Sequence, residues 1–320
     1  MIARVRNDSR PPPVATVVEK SALYELIGPL PELDRPVLVS ALTGFVDAGN
    51  AAQLAREHLL ARDATPVARF DVDRLLDYRS RRPLMTFVED HWEDYAEPEI
   101  GLYLLRDEQE TPFLVLAGPE PGLKWERFIA DVTGLIRRLG VRLTVGFTAI
   151  PMAVPHTRPI GVTAHATRPE LLINNEPWLS KAKVPATVGN LLEYRLGQAG
   201  LDAIGFAVHV PHYVAESAFP AAAEELLARL SKATGLLLPT GSLRQAAGVV
   251  RGEIDKQVAA ADDAGTMVRM LEQQYDAFAR GRQRSGVSTA EATPLPTADE
   301  LGAELERFLA EQDRRDRDAG

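Results

Sequence analysis

Glycines and acidic side chains in an order typical of a ligand-binding turn occur early in this sequence. Gly44, Asp47 and Asn50 lie in the segment 42–51, which follows the apolar run 37–39. A strand, a glycine turn and a helix start in this order place the turn at the carboxyl edge of an open sheet, where ligands usually bind. Backbone N–H groups at such a helix start can bind an anion. The segment lacks the Lys-Ser or Lys-Thr pair of a phosphate loop. The alternative is that Asp47 only caps the helix.

Glu120 and Glu216 are the acidic side chains that could act as a general base or accept a hydrogen bond from a ligand. Glu120 lies between two prolines, shortly before Trp125 and a predicted helix. It could be a ligand acceptor beside Trp125, or a carboxylate stabilised by the dipole and the free N–H groups of that helix. Glu216 follows Tyr213 at the start of another predicted helix, so the same two interpretations apply to it. We favour the structural interpretation for both.

Four of the six histidines could meet at one edge of the predicted sheet. They lie in or next to loops that follow predicted strands: His156, His165, His209 and His212. A metal needs three or four ligands at a fixed geometry. His209 and His212 do not have the spacing of a helical pair, and Pro211 prevents a regular strand between them. We therefore expect no bound metal and no other cofactor. The alternative to a ligand site is that each histidine orders its own loop.

Arg158 lies in a loop between two predicted strands. Its guanidinium could bind an anion or a carboxylate, or it could pair with Asp47 or Glu120 across the sheet edge. The enzyme signatures Gly-x-Ser-x-Gly, His-Glu-x-x-His and Gly-x-Gly-x-x-Gly do not occur in the sequence. A Ser-x-x-Lys pattern at residues 180–183 lacks its companion motifs. The sequence thus predicts a loop-lined cleft without a recognisable catalytic centre.

Composition limits the classes of partner. The chain has 320 residues, with 36 basic and 45 acidic side chains, a net charge of −9 and no cysteine. An acidic surface disfavours binding to nucleic acid or to anionic membranes. Without cysteine there are no disulfides and no thiolate chemistry, which fits a reducing cytosol. The sequence contains no apolar run of membrane-spanning length and no signal-peptide pattern. We expect a cytoplasmic protein that binds neither nucleic acid nor membranes.

Strand and helix signals alternate over most of the chain, which predicts an α/β fold with a mostly parallel sheet flanked by helices. Predicted strands cover residues 37–42, 67–71, 84–88, 100–105, 113–117, 141–147 and 203–208, and predicted helices cover residues 48–61, 125–139, 186–198 and 220–233. The helix 125–139 has the clearest apolar stripe. We expect the strands on either side of it to be parallel neighbours joined by a right-handed crossover. An acidic loop is expected at residues 89–97.

Four regions follow from these patterns. They are a flexible N-terminus at 1–13, an α/β domain at 14–240, a helical extension at 241–281, and a linker, short helix and charged tail at 282–320. The extension reads as two helices with a break near 261–265. The short helix has an apolar side formed by Leu301, Leu305, Phe308 and Leu309. We expect this helix to dock against its own oligomer or into a groove of a client protein.

Four segments in this order resemble the bacterial branch of the proteasome assembly chaperone 2 family: 42–51, 118–127, 150–159 and 208–213. The resemblance runs from about residue 37 to about residue 278. It implies a phosphorylase/hydrolase-like α/β fold with added helices, and it implies little chemistry. It also implies a homo-oligomer, for which we expect a trimer, and a protein client such as a proteasome subunit. Relatives that act on proteasomes often end in a hydrophobic-Tyr-X tail. This chain ends Arg-Asp-Ala-Gly, so we do not expect docking by that route.

Two functions remain open. The resemblance implies chaperone-like protein binding, whereas the fold suggests an enzyme, hydrolase or phosphorylase-like, that acts on a small polar molecule at the carboxyl edge of the sheet. An enzyme should gather Asp47, Glu120, Arg158 and at least one of His156, His209 or His212 around an enclosed pocket. A binding protein should instead expose a large apolar surface that its own oligomer does not use.

Overall fold

A computed structural model describes residues 23–172, 181 and 183–285 of the chain. Its strands are β1 (Tyr24–Leu26), β2 (Val37–Thr43), β3 (Thr65–Phe70), β4 (Thr86–Val88), β5 (His91–Glu93), β6 (Gly101–Arg106), β7 (Pro112–Pro119), β8 (Leu143–Met152), β9 (Val162–Ala166) and β10 (Ala203–Pro211). Its helices are α1 (Ala51–Leu60), α2 (Val72–Leu75), α3 (Trp125–Arg138), α4 (Val188–Gln198), α5 (Pro220–Thr234), α6 (Gly241–Ala260) and α7 (Asp262–Ser285). The predicted α/β class and its helical C-terminal part are confirmed.

Eight of the described strands form one sheet in the order β1-β3-β6-β7-β2-β8-β10-β9. The four strands at its centre, β7, β2, β8 and β10, are parallel. Antiparallel strands extend the sheet on both sides, with β6, β3 and β1 on one and β9 on the other. The central strands carry nearly continuous apolar runs, such as Phe113–Ala117 in β7, because helices cover both of their faces.

The two faces of the sheet carry separate hydrophobic cores. Helices α1, α5 and α6 cover one face with side chains such as Leu59, Leu226 and Ile254. Helices α3 and α4 cover the other face with Phe128, Val132 and Leu192 among others. In α3 the buried residues recur at three- and four-residue steps, as the sequence predicted, and Gly140 follows the helix with a φ of 64°.

The expected neighbour relation of the strands around α3 is wrong. Strands β7 and β8 are parallel, but β2 lies between them and pairs with both. Local patterns show that two strands are joined by a crossover, but they contain no signal for a strand from elsewhere in the chain that inserts between them. The crossover through α4 does join neighbours, since β8 and β10 are paired.

The segment predicted as a strand at 84–88 does not belong to the main sheet. Only β4 forms there, and it pairs with β5 in a separate two-stranded hairpin. The expected acidic loop at 89–97 therefore contains a strand. Strand β1 was not predicted from the sequence, and β9 was indicated only as a strand without bounds after Arg158, because three and five residues carry too little pattern to distinguish them from loops.

The chain divides into two compact units, with the boundary between Val268 and Arg269 inside α7. The boundary predicted at 240 and 241 falls within the first unit, and the domain division drawn there stays a prediction. Helix α7 continues to Ser285, past the expected end of the helical extension at 281. The predicted flexible N-terminus and the short helix at 297–310 lie outside the described residues. Of the helices described, none is both long enough and apolar enough to cross a membrane.

Candidate functional site

The loops that carry most of the predicted site residues lie at the carboxyl edge of the parallel strands. The register pairs Thr43 with Pro119 and Met152 with Pro211, so β2, β7, β8 and β10 end at this edge. The turn 44–50, Glu120, His156 and the loop at 209–212 follow or end these strands. Their predicted placement at one edge agrees with the strand pairing.

The side chain of Asp47 binds backbone N–H groups at the start of α1. Its Oδ1 accepts a hydrogen bond from Ala52 N at 2.8 Å, and its Oδ2 accepts one from Gln53 N at 2.9 Å. The turn reaches this position through Gly49 and Asn50, which have φ angles of 66° and 51°. Burial raises the pKa of Asp47, although the two N–H donors oppose the shift. Its contacts are those of a capping residue, the structural alternative drawn from the sequence.

Glu120 caps a helix, but not the helix expected from the sequence. Its Oε1 accepts a hydrogen bond from the backbone N–H of Val188, the first residue of α4. Thr187 supports the same helix start, since its Oγ1 accepts from Asn190 N at 3.1 Å. The expected partner was α3, which follows Glu120 directly in the chain. A carboxylate that its neighbours in sequence do not bind can accept a hydrogen bond from any helix start that the fold brings near it.

Gly44 allows Glu120 to lie against the turn after β2. A Cβ atom at residue 44 would lie 2.1 Å from Glu120 Oε2 and 2.6 Å from Glu120 Cβ. The backbone N–H of Glu120 also donates to Thr43 O at 2.7 Å. These contacts fix the loops after β2 and β7 to each other. Trp125 is the first residue of α3, and its side chain binds the segment just before that helix, since its Nε1 donates to Pro121 O at 2.6 Å.

His156 is buried and connects the loop after β8 to two other elements. Its Nδ1 lies 2.6 Å from Tyr213 Oη, to which its backbone N–H also donates at 2.8 Å. Its Nε2 lies 3.0 Å from Asp255 Oδ1 on α6. Arg158 is half-buried two residues further along the same loop. The two ring nitrogens and the backbone N–H of His156 connect this loop to α6 and to the segment that follows β10.

His209 and His212 have different surroundings, despite their proximity in sequence. His209 is half-buried, with its Nε2 2.8 Å from Thr163 Oγ1 on β9. Burial lowers the pKa of His209 to about 4. His212 is exposed, and its ring lies edge-on to Tyr213 with centroids 5.4 Å apart. His165 pairs elsewhere, through Nδ1 with Glu193 Oε1 on α4 at 2.8 Å.

Some of the predicted site residues line two clefts at this edge, and Gly44 and Asp47 line both. An open cleft of about 630 Å³ is lined by Gly44, Asp47 and Asn50. A smaller cavity of about 40 Å³ beneath α4 is lined by Gly44, Asp47 and Glu120. His156, Arg158, His209 and His212 line neither of these two spaces. Neither cleft thus has the set of residues expected of the enzyme. Within the described part of the chain, no three His, Asp or Glu side chains are grouped so that they could hold a metal ion.

Most of the residues that line the larger cleft were not selected in the sequence analysis. Arg56 on α1, Arg81 after α2, and Glu99 and Tyr103 at β6 all face it. Strand β6 brings its residues there because it runs antiparallel to β7, so that Gly101 pairs with Ala117 near the carboxyl end of β7. No motif marks such residues, since their proximity depends on strand order alone.

An exposed apolar surface lies on the hairpin of β4 and β5, which we call the apolar hairpin (residues 84–95). Phe87 and Trp92 are 56% and 64% exposed, and their rings contact each other edge-on with centroids 5.0 Å apart. Leu84, Met85 and Tyr95 are exposed beside them. Clustered exposed aromatic residues are typical of protein interaction sites.

Solved structures resemble this chain closely. Protein Rv2714 of Mycobacterium tuberculosis, of unknown function, is 52% identical, with a TM-score of 0.79 over 80% of this chain and 92% of its own. A Corynebacterium glutamicum protein of unknown function is 38% identical, with a TM-score of 0.76 over 80% and 97%. The M. tuberculosis proteasome-assembly chaperone homologue Rv2125 is 26% identical, with a TM-score of 0.66 over 72% and 99%.

Among curated proteins, none matches this sequence. The model of the PAC2 family matches residues 41–258, which include all four segments of the predicted resemblance. This match covers more than half of the chain and extends from β2 to α6, across both hydrophobic cores. The chain therefore belongs to the PAC2 family.

Proposed function

We propose that this protein is a proteasome-assembly-chaperone-like protein of the cytoplasm that binds protein partners through the apolar hairpin. The PAC2 family match and the likeness to the Rv2125 chaperone homologue support a chaperone-like role. The observation that carries the proposal is the exposed cluster formed by Phe87, Trp92 and their apolar neighbours. Trp is among the residue types enriched at the few positions that carry most of the binding energy of protein interfaces.

The proposed partners are of two kinds. One is the protein itself, as a homo-oligomer for which a trimer is the expected form, and the other is a protein client such as a proteasome subunit. We assign the apolar hairpin to the client, because the same hairpin carries the exposed acidic residues Glu89, Asp90 and Asp94. A client with an apolar patch and basic neighbours would complement this surface.

The second candidate function is an enzyme that acts on a small polar molecule. It is favoured by the open cleft of about 630 Å³ at the carboxyl edge of β2 and β7, a size common for ligand pockets. The loop histidines do not line that cleft, and the described side chains show no nucleophile paired with a base there. Protein binding is therefore the better-supported function.

The test replaces the aromatic pair. Phe87→Ser with Trp92→Ser should reduce recovery of protein partners from native lysate at least about tenfold, because each truncation removes a large apolar contact. Light scattering should show an unchanged oligomer mass, since the hairpin is assigned to the client. The matched control is Val249→Ser on α6, a side chain that is 65% exposed. If the double variant recovers the same partners as the control, the hairpin is not the client surface. A fall in oligomer mass would instead make it a subunit interface.

A further inference from the structure

Two arginine side chains from different elements converge on Thr43 in the larger cleft. Arg56, on α1, donates from Nη1 to Thr43 Oγ1 at 2.9 Å and to Gly118 O at 3.4 Å. Arg81, in the segment after α2, donates from its own Nη1 to Thr43 O at 3.4 Å. Both line the same cleft at the ends of β2 and β7. Two guanidinium groups that share one residue repel each other, so this arrangement has an electrostatic cost that a bound anion would offset.

The carboxylates near this pair are engaged elsewhere. Both oxygens of Asp47 accept N–H groups of α1, and Glu99 lies 3.3 Å from Arg69 Nε. Glu57, whose carboxylate is 4.0 Å from Arg56 and about half exposed, and Asp47 both attract Arg56 electrostatically, but neither accepts a hydrogen bond from it. Among the described residues, the hydrogen bonds of Arg56 and Arg81 all go to neutral oxygens. A guanidinium has five N–H donors, so most donors of this pair are available to a ligand.

Arg56 is also shielded from water, which strengthens its attraction for an anion. Its side chain is only 16% exposed, and burial lowers its pKa. A partly desolvated guanidinium binds a carboxylate or phosphate more strongly than an exposed one, and its fork geometry suits two oxygens at once. Arg81 is exposed at the rim and can close over a ligand bound by Arg56.

The remaining walls of the cleft are mostly polar, although Leu60, Ala117 and Pro119 also line it. Gly118, with a φ of 134°, has no room for a side chain, since a Cβ would lie 2.3 Å from Glu99 O. Asn50 and Gln53 line the same space, and Gln53 Nε2 donates to Glu57 Oε1 at 2.8 Å. Burial and the neighbouring Glu99, which also hydrogen-bonds to it, raise the pKa of Tyr103 to about 12. These groups suit hydroxyl and carbonyl substituents rather than an apolar ligand.

We propose that this cleft binds a small anionic molecule whose carboxylate or phosphate group is held jointly by Arg56 and Arg81. The polar remainder of the molecule contacts the side chains of Asn50, Gln53 and Tyr103. This site is distinct from the apolar hairpin, and it does not depend on the protein-binding function proposed above.

Equilibrium binding of citrate and of inorganic phosphate, at constant ionic strength set with chloride, tests the proposal. Calorimetry should detect binding of at least one probe to the full chain. Arg81→Gln should weaken that binding at least about tenfold, because it removes a charged hydrogen-bond donor. Arg82→Gln, which removes the adjacent exposed arginine, should change the affinity less than about twofold. Arg81→Lys should restore part of the affinity, since it restores the charge without the planar fork.

Comparison of the two probes identifies the oxyanion. Binding of citrate alone assigns a carboxylate ligand, and binding of phosphate alone assigns a phosphate ligand. The proposal is overturned if neither probe binds the unmodified protein, or if Arg81→Gln and Arg82→Gln have equal effects. Arg56→Gln serves as a second variant, and its thermal unfolding is measured first, because its side chain is part of the fold. The anion-binding measurement does not depend on whether the hairpin variant loses its protein partners.

Discussion

At the scale of single residues, His209 shows how burial sets a titration behaviour that the sequence does not reveal. Its imidazole lies against β9, where Thr163 Oγ1 is 2.8 Å from Nε2. Solvent that would stabilise the charged ring is excluded, so the pKa falls to about 4 and the ring is neutral at pH 7. The neighbouring His212 is exposed to solvent. Two histidines three positions apart therefore have opposite roles, one inside the fold and one on its surface.

This difference predicts a pH-dependent stability. The unfolded chain binds a proton at His209 as the pH falls through about 6.5, whereas the folded chain binds it only near pH 4. The free energy of unfolding should therefore decrease as the pH falls from 6.5 to 4, by at most roughly 3 kcal/mol from this residue. Urea unfolding at pH 7 and at pH 4.5 should show that His209→Gln loses less stability than the unmodified protein. His212→Gln is the control, and an equal loss in both variants would contradict the prediction.

At the scale of elements, β9 depends on a glycine in the neighbouring strand. His165 of β9 pairs with Gly205 of β10 in the register, and its ring lies over that glycine. A Cβ at residue 205 would lie 2.0 Å from His165 Cε1. The ring in turn pairs with Glu193 of α4 at 2.8 Å. The edge strand, the sheet and α4 are thus connected through one imidazole.

Gly205→Ala should destabilise the protein by about 1–3 kcal/mol, because the methyl group displaces the His165 ring from its contact with Glu193. The double variant Gly205→Ala with His165→Ala should be more stable than the sum of the single effects predicts, since the clash is removed. Chemical unfolding of all three variants measures this coupling. Gly146→Ala on β8 is the matched control, because its nearest neighbours to a Cβ are 3.9 Å away. Additive effects would show that the ring does not limit residue 205.

Elements with their own periodicity could be predicted from the sequence, and relations between distant elements could not. Helix α3 follows from its apolar stripe and from Gly140. Glu120 was recognisable as a capping residue, but Val188, which it caps, is 68 positions away in the chain. The larger cleft was predicted in part through Gly44, Asp47 and Asn50, whereas Arg56 and Arg81 carry no local signal. Strand order decides which side chains meet, and strand order is a long-range property.

At the scale of the whole molecule, the last residues of the chain are expected to contribute to assembly. The short helix predicted around Leu301, Leu305, Phe308 and Leu309 lies outside the described residues. Deletion of residues 297–320 should change either the oligomer mass, measured by light scattering, or the recovery of protein partners, because four large apolar side chains are lost. Cooperative unfolding should persist, since both hydrophobic cores lie before this segment. Deletion of only 312–320 is the control. Unchanged mass and recovery after the longer deletion would contradict the prediction.

The position of β2 between β7 and β8 has a consequence for biosynthesis. Of these three strands β2 leaves the ribosome first, and neither of its partners exists until the chain has grown to Pro112 and beyond. At roughly 5–20 residues per second, this interval is on the order of ten seconds. During that time an apolar strand has two unpaired edges, the condition under which nascent chains aggregate. The centre of the sheet is completed only after later segments are synthesised. Proteins whose contacts join residues distant in sequence fold slowly.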